Sequence, residues 1–446
     1  MKPRGVKRYR PPPPDSIDLR ARRSEDFAVG TPPPILILPF ALLLGAMALA
    51  PMLAPAWWLR HYAKVALGLG AVTAGIYYFG RHDVASLAQA AHEYVGFMAL
   101  VGSLFVVSGG IRLQVPAGAT PLANVVFLLL GAVAANVLGT TGAAMLLIRP
   151  WLQFNRDRLA AYHVVFFIFL VANVGGGLTP VGDPPLFLGY LQGVPFWWVA
   201  RECWAPWATA TGLLLAIFFV LDAAAGARAP RRRPPGDAPS SGWRWEGLPN
   251  LLFLALVVGA VFIQRPPFLR EGLMLAAAAG SYFTTRKSVY AANEFNFHPL
   301  AEVAVLFAGI FATMMPALDW LDHGAARWLG ASPGPAVVYW GTGCLSAVLD
   351  NAPTYLGFLN ALFGVAGTRE IAPLLDHRAA QLAAISVGAV FFGAATYLGN
   401  GPNFMVKAIA DQRGVPMPSF VEFILKFSLP FLAPVLLVVW LLFFRD

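Results

Sequence analysis

Two aspartates stand where apolar sequence should continue. Asp183 lies in LTPVGDPPLF and Asp350 in SAVLDNAPTYLG, each set between long aliphatic runs. A carboxylate near the middle of a bilayer costs roughly 2.5–3.5 kcal/mol, so a chain that carries two has a use for them. Neutral oxygens stand nearby on Thr179, Asn351, Thr354, Asn400 and Asn403. Hard oxygen ligands suit Na⁺ or another small cation, and Asp183, Asp350 and Asn351 are the first candidates to hold Na⁺. A carboxylate so placed can hold a proton or a cation, and competition between the two is the minimal machinery for exchanging Na⁺ against H⁺. The structural alternative is capping. Asp183 before Pro184-Pro185, Asn351-Ala352-Pro353 and Asn400-Gly401-Pro402 all read as polar N-caps ahead of a proline in the first turn. Ser or Asn would cap at lower cost in a membrane, which argues for more than capping at the two acids.

These residues fall in four polar breaks, at 139–142, 178–185, 350–353 and 397–403. Thr140 and Thr141 mark the first and Gly182, Pro184 and Pro185 the second. Pro353 belongs to the third, and Gly399, Gly401 and Pro402 to the fourth. Non-helical backbone survives at membrane depth only where it is buried in protein or lines a watery cavity.

The breaks come in matching pairs. VLGTTGAAMLL at 137–147 lies over VLDNAPTYLGF at 348–358, and LTPVGDPPLF at 178–187 over ATYLGNGPNF at 395–404. GVPF at 193 meets GVPM at 414, and His92 meets His298, in the same order. This predicts an all-α polytopic membrane protein of two repeats, 34–222 and 247–446, with a basic tail at 1–33 and a basic linker at 223–246. The expected spans are 35–57, 63–80, 94–115, 160–191 and 206–222, then 248–264, 271–285, 299–320, 379–410 and 427–444. Re-entrant hairpins are expected at 121–149 and 335–366. Five crossings per half is odd, so the second repeat should be inverted relative to the first.

Composition agrees. Of 446 residues 58% are hydrophobic and 12% charged, against about 25% charged in soluble domains. The net charge of +9 sits mostly in the tail and the linker, both Pro-rich and expected to be disordered. Basic segments beside spans set topology or touch lipid, and argue against nucleic-acid binding. The basic short loops place the linker on the cytoplasmic side and the tail outside. Cys203 and Cys344 are expected to be packing residues. His92, Glu93, His298 and Glu302 read as interfacial anchors or as relay sites on a proton path, His163 as a satisfied buried histidine, and Asp319 and Asp322 as solvated at a span end. Trp197, Trp198, Trp204 and Trp207 read as an interfacial belt, and Lys407 as snorkelling toward an interface. No nucleotide loop, metal-ligand cluster or nucleophile triad stands out, so an enzyme or an ATP-driven pump is not expected.

NVGGGLTPVGDPP and SAVLDNAP resemble motifs of the ion transporter superfamily: NhaD-type sodium/proton antiporters, arsenite permeases, citrate–metal transporters and dicarboxylate/sodium symporters. The NhaD pattern matches Gly176-Gly177, Thr179, Gly182-Asp183 and Asp350-Asn351-Ala352-Pro353. It departs at Cys344-Leu345-Ser346, where a serine pair is lost, and at Pro184-Pro185, closer to the dicarboxylate and arsenite branches. The resemblance covers nearly the whole chain from about residue 34. It implies a site made of hairpin tips and interrupted helices, in a body that moves against a scaffold that often forms a homodimer. The first expectation is a Na⁺(Li⁺)/H⁺ antiporter of a bacterial inner membrane, with Na⁺ and H⁺ as transported or coupling ions and no cofactor. The alternative is a cation-coupled citrate or dicarboxylate transporter, its anion seated on half-helix N-termini. A non-transporting scaffold would have no reason to keep four polar breaks.

Overall fold

The computed structural model describes residues 32–116, 118–228, 242–263, 265–330 and 332–445. The tail expected at 1–33 lies almost wholly outside the described residues, as does the linker stretch 229–241.

In hydrocarbon a backbone must close its hydrogen bonds internally, and the apolar runs do so as helices. The first half contains α1 (Leu38–Leu53), α2 (Pro55–Gly75, continuing as a π-turn through Ile76–Gly80), α3 (Val84–Gly109), α4 (Pro121–Phe154), α5 (Ala161–Leu170), α6 (Pro184–Leu191) and α7 (Phe196–Arg228). The second half contains α8 (Asn250–Val261), α9 (Leu269–Thr284), α10 (Lys287–Ala292), α11 (His298–Leu329), α12 (Pro335–Val348), α13 (Asn351–Ala366), α14 (Ile371–His377), α15 (Ala379–Phe392), α16 (Gly401–Gln412), α17 (Phe420–Phe423) and α18 (Ala433–Phe443). The last two are joined by a π-helical stretch, Ile424–Leu432, into one apolar rod. β1 (Arg112–Gln114) pairs antiparallel with β2 (Arg244–Glu246), tying the linker's end to the segment after α3. Seven helices among the described residues are long and apolar enough to cross a membrane, eight if the bent pair 371–395 counts as one. The chain is an all-α polytopic membrane protein.

One of the seven, α4, does not cross. Asn124 donates to Asn155 Oδ1 at 2.7 Å, although the two are 31 residues apart. A straight helix would separate them by about 46 Å. The reversal occurs at Gly139, whose φ of 73° and ψ of 153° are accessible to glycine alone. The base is fixed by a buried polar cluster: Asp222 of α7 accepts from Asn124, from Tyr162 and from His163 Nε2 at 3.0, 2.7 and 3.1 Å, and pairs with Arg158. His163 is thus a satisfied buried histidine. The second hairpin is α12–α13, broken at Leu349 and Asp350, with Gly341 on one arm close against Phe358 on the other.

α5 and α15 form the centre: residues 163–170 and 382–392 are buried on every side. Both stop short, and the chain runs through 3-10 turns and loops to α6 and α16. α1, α2 and α3 pack with α11, and α3 with α8 and α9, as a second group alongside.

Several boundaries depart from the apolar runs. α2 starts at Pro55 because proline suits a first turn, and α3 at Val84 because the Asp83 carboxylate accepts from Ser86 N–H at 2.9 Å. α7 starts at Phe196, so the tryptophans belong to the span itself, not to a surface helix. Trp197 and Trp204 are exposed, Trp198 is buried, and Trp207 is partly buried against the core. α8, with 12 residues, covers only about 18 Å and falls short of a full crossing. Asp319 stands at the span end but is only partly solvated: it accepts from Tyr77 hydroxyl at 2.8 Å and lies 3.8 Å from Arg369. The side chain of Asp322 lies outside the described residues. Cys203 is buried and Cys344 exposed.

Candidate functional site

The two hairpin tips and the two breaks meet. Pro184 and Pro185 deprive α6 of its first two N–H donors, and the next, Leu186 N–H, is taken by the Asp183 backbone carbonyl at 3.1 Å. The Asp183 carboxylate therefore caps nothing, which removes the capping alternative at this residue. It turns inward, with 1% exposure, and accepts three hydrogen bonds. Thr140 hydroxyl donates to Oδ1 at 2.6 Å, Asn400 Nδ2 to Oδ1 at 3.0 Å, and Asn351 Nδ2 to Oδ2 at 2.6 Å. One acid thus joins both hairpins and both breaks.

The backbone around it repeats itself. Thr140 N–H donates to Gly182 carbonyl at 2.7 Å, and Asn351 N–H, at the matching place in the second half, to Gly399 carbonyl at 3.2 Å. Thr179 hydroxyl donates to Asn136 carbonyl at 2.5 Å and accepts from Gly182 N–H at 3.0 Å. Thr396 does the same with Ala347 carbonyl at 2.7 Å and Gly399 N–H at 3.2 Å.

Asp350 behaves differently. Its Oδ1 caps α13 by accepting Ala352 N–H at 3.0 Å, and the residue lines a cavity of about 320 Å³. Thr141, Pro184, Asn400, Gly401 and Pro402 line the same space. Four helix starts therefore border it: the second arm of α4, α6, α13 and α16. Two carboxylates, Asp350 and Glu302, are its charged groups, and no Arg or Lys is among its described lining residues.

Among the other candidates from the sequence, Thr354 hydroxyl donates to Asp350 carbonyl at 3.0 Å, within its own helix. Asn403 Nδ2 donates to the Gly393 and Thr396 carbonyls, both at 2.8 Å, and stitches the second break. Thr179 and Thr354 thus spend their hydrogen bonds on backbone, and Asn403 on backbone and Asn173, while Asp183, Asn351, Asn400 and Thr140 meet directly. Gly182 and Gly399 approach the Gly176 and Gly393 carbonyls too closely for a side chain. Pro353 is buried in the first turn of α13. Lys407 does not reach out freely: it pairs with Asp411 at 2.5 Å and lies 5.6 Å from the Tyr397 ring.

Three supporting residues escape a reading of motif oxygens. Asn136 donates to Gly175 carbonyl at 2.7 Å and accepts Leu178 N–H at 2.9 Å. Asn173 donates to Asn403 Oδ1 at 2.7 Å. Trp207, outwardly a belt residue, donates to Gly175 carbonyl at 3.0 Å. The available signal was an amide inside an apolar run, present at both asparagines and absent for the tryptophan. Two buried amide oxygens, Asn351 Oδ1 and Asn173 Oδ1, accept no hydrogen bond, and both amides face Gly393. Unspent acceptors beside an acid are the donor set a small cation would use.

A family model described as "Putative citrate transport" matches residues 31–444. The chain belongs to that family. No curated protein matches it. Membership in the citrate transport family makes the chain a transport protein of the membrane, and fits a site lined by helix starts rather than by a nucleophile.

Proposed function

We propose that the chain is a cation-coupled transporter of citrate or a related carboxylate, working through the cavity at Asp350. The observation that carries this is the convergence of four helix starts on one space. The positive end of each helix dipole favours an anion there. A citrate beside Asp350 and Glu302 would be repelled, so it must arrive with cations that neutralise it. Asp183, Asp350, Asn351 and Asn400 supply oxygens for those cations. Two halves, 34–222 and 247–446, inverted with respect to each other, would carry the hairpins and breaks against α1–α3 and α11. Thr140 and Thr141, Gly182, Pro184, Pro185, Pro353, Gly399, Gly401 and Pro402 shape the tips and breaks.

A second reading has its own support. The charged groups of the cavity are both acids and no base accompanies them, the pattern expected where a cation is the cargo. This is Na⁺(Li⁺)/H⁺ exchange, with proton and cation competing for Asp183 and Asp350. Flux in proteoliposomes separates the two. Uptake of labelled citrate that requires Na⁺ or Mg²⁺ and is lost in Asp350→Asn supports the first reading. Sodium-dependent collapse of an imposed pH gradient, with no citrate uptake, would establish the second in its place.

A further inference from the structure

The cavity lining carries a second acid. Glu302 lies on α11, one turn after His298, and lines the same space as the hairpin residues Thr141 and Asp350. Much of the remaining lining is apolar, including Trp58 of α2, Phe97 and Val101 of α3, and Leu306 and Phe307 of α11. The titratable groups that face it are Asp350 from the second hairpin, Tyr397 from the second break and His298 on its own helix. The Tyr397 hydroxyl is already committed to Pro418 carbonyl at 3.1 Å. No hydrogen bond or ion pair engages the Glu302 carboxylate among the described residues, and the residue is half-buried, open to the cavity. An acid in a span without a fixed partner is costly to keep. Asp183, by contrast, has three donors and Asp350 has its cap. Apart from His298 one turn back, the open cavity is the side from which a partner reaches Glu302.

We propose that Glu302 is the second exchangeable carboxylate of the cavity, protonated when the space is empty and ionised when cation-bearing cargo seats between it and Asp350. The step balances: the Glu302 O–H bond breaks, its proton passes to water in the cavity, and the new carboxylate offsets the arriving cation. Glu302 stands on α11 and Asp350 at the tip of the second hairpin, whose second arm α13 packs against α11. As the cargo leaves, Glu302 takes a proton back from the cavity water. This assignment rests on the cavity being the transport path.

The test compares wild type, Glu302→Gln and Glu302→Asp, each checked for a monodisperse profile in detergent. Flux of labelled citrate with Na⁺ or Mg²⁺ is measured between about pH 5 and pH 8. Glu302→Gln should flatten the pH profile and lower the maximal rate about tenfold or more, with KM for citrate changed far less. Glu302→Asp should retain the pH dependence. A Glu302→Gln profile that keeps the wild-type shape would overturn the proposal. Absence of citrate flux in the wild type would instead sink the citrate reading. A measurement independent of flux covers that case: Na⁺ or Mg²⁺ added to the weakly buffered wild-type protein should release protons. Fewer should be released from Glu302→Gln, and equal release from both would refute the assignment.

Discussion

In the first half of the chain the acid stands in the helix break, at Asp183, and the hairpin tip carries Gly139. In the second half the acid stands on the hairpin, at Asp350, and the break carries Asn400. The cradle is otherwise the same, with tip N–H to glycine carbonyl and a threonine hydroxyl bridging hairpin and break. Backbone geometry explains why the acid changes place. The first hairpin reverses within one residue, and Gly139 takes φ 73° and ψ 153° to do it. No aspartate fits there. The second hairpin spreads its turn over Leu349 and Asp350, at φ −107° and −59°, which any residue can adopt. The consequence is functional: one acid is locked by three neutral donors, and the other opens to the cavity with one oxygen spent on a cap.

Replacing each acid by its amide should give the sharpest contrast. Asp183→Asn offers one oxygen where the carboxylate offers two, so an N–H of Asn351 or Asn400 is left facing an N–H. Stability in detergent should fall by about 2–4 kcal/mol and flux by at least a hundredfold, with membrane insertion retained. Asp350→Asn keeps its cap, because asparagine caps as well as aspartate. Thermal unfolding should then shift little while flux is lost as completely. The comparison breaks if the two variants lose equal stability. Moving the acid across the repeat, in Asp183→Asn with Asn400→Asp, should recover part of the stability lost by the single variant.

A smaller effect separates the two tips. Gly139→Ala forces a side chain into positive φ and puts its Cβ 3.2 Å from Leu104 and from Val181 carbonyl. Melting in detergent should report a loss of about 1–3 kcal/mol. Asp350→Ala, at the matching position, meets no such strain and should lose only its cap, about 1 kcal/mol. Equal losses would mean that the turn at Gly139 relaxes.

What could be read from the sequence follows from these numbers. Breaks are legible because Gly, Pro, Asp and Asn are costly inside an apolar run unless the backbone turns there. Both hairpins and both interrupted helices stand where such residues cluster. Element starts are less legible. A helix can begin in polar sequence when a cap or proline favours it, as Asp83 and Pro55 do, and hydropathy does not register that. Partner choice is hardest. Thr354 and Asn403 look like ligands by type, but Thr354 donates one turn back along its own helix and Asn403 stitches backbone, and only the folded chain reveals where a side chain turns. Trp207 carries no signal at all, since an indole in a span reads first as an anchor.

Trp207 also supplies the finest test of how the breaks differ. Gly175 carbonyl, at the first break, accepts from both Asn136 and Trp207, at 2.7 and 3.0 Å. At the second break Asn403 reaches two carbonyls, and Ser428 of the last rod plays the part of Trp207, donating to Ala395 carbonyl at 2.7 Å. Trp207→Phe removes one of two donors to the same oxygen, so the carbonyl stays satisfied and the loss should be about 0.5 kcal/mol. Amide exchange around Gly175 to Gly177 should quicken only slightly. Asn136→Ala should cost more, because it also strips Leu178 N–H of its acceptor. If Trp207→Phe proves the costlier of the two, the indole is holding α7 against the first break, as the Ser428 hydroxyl holds the last rod against the second.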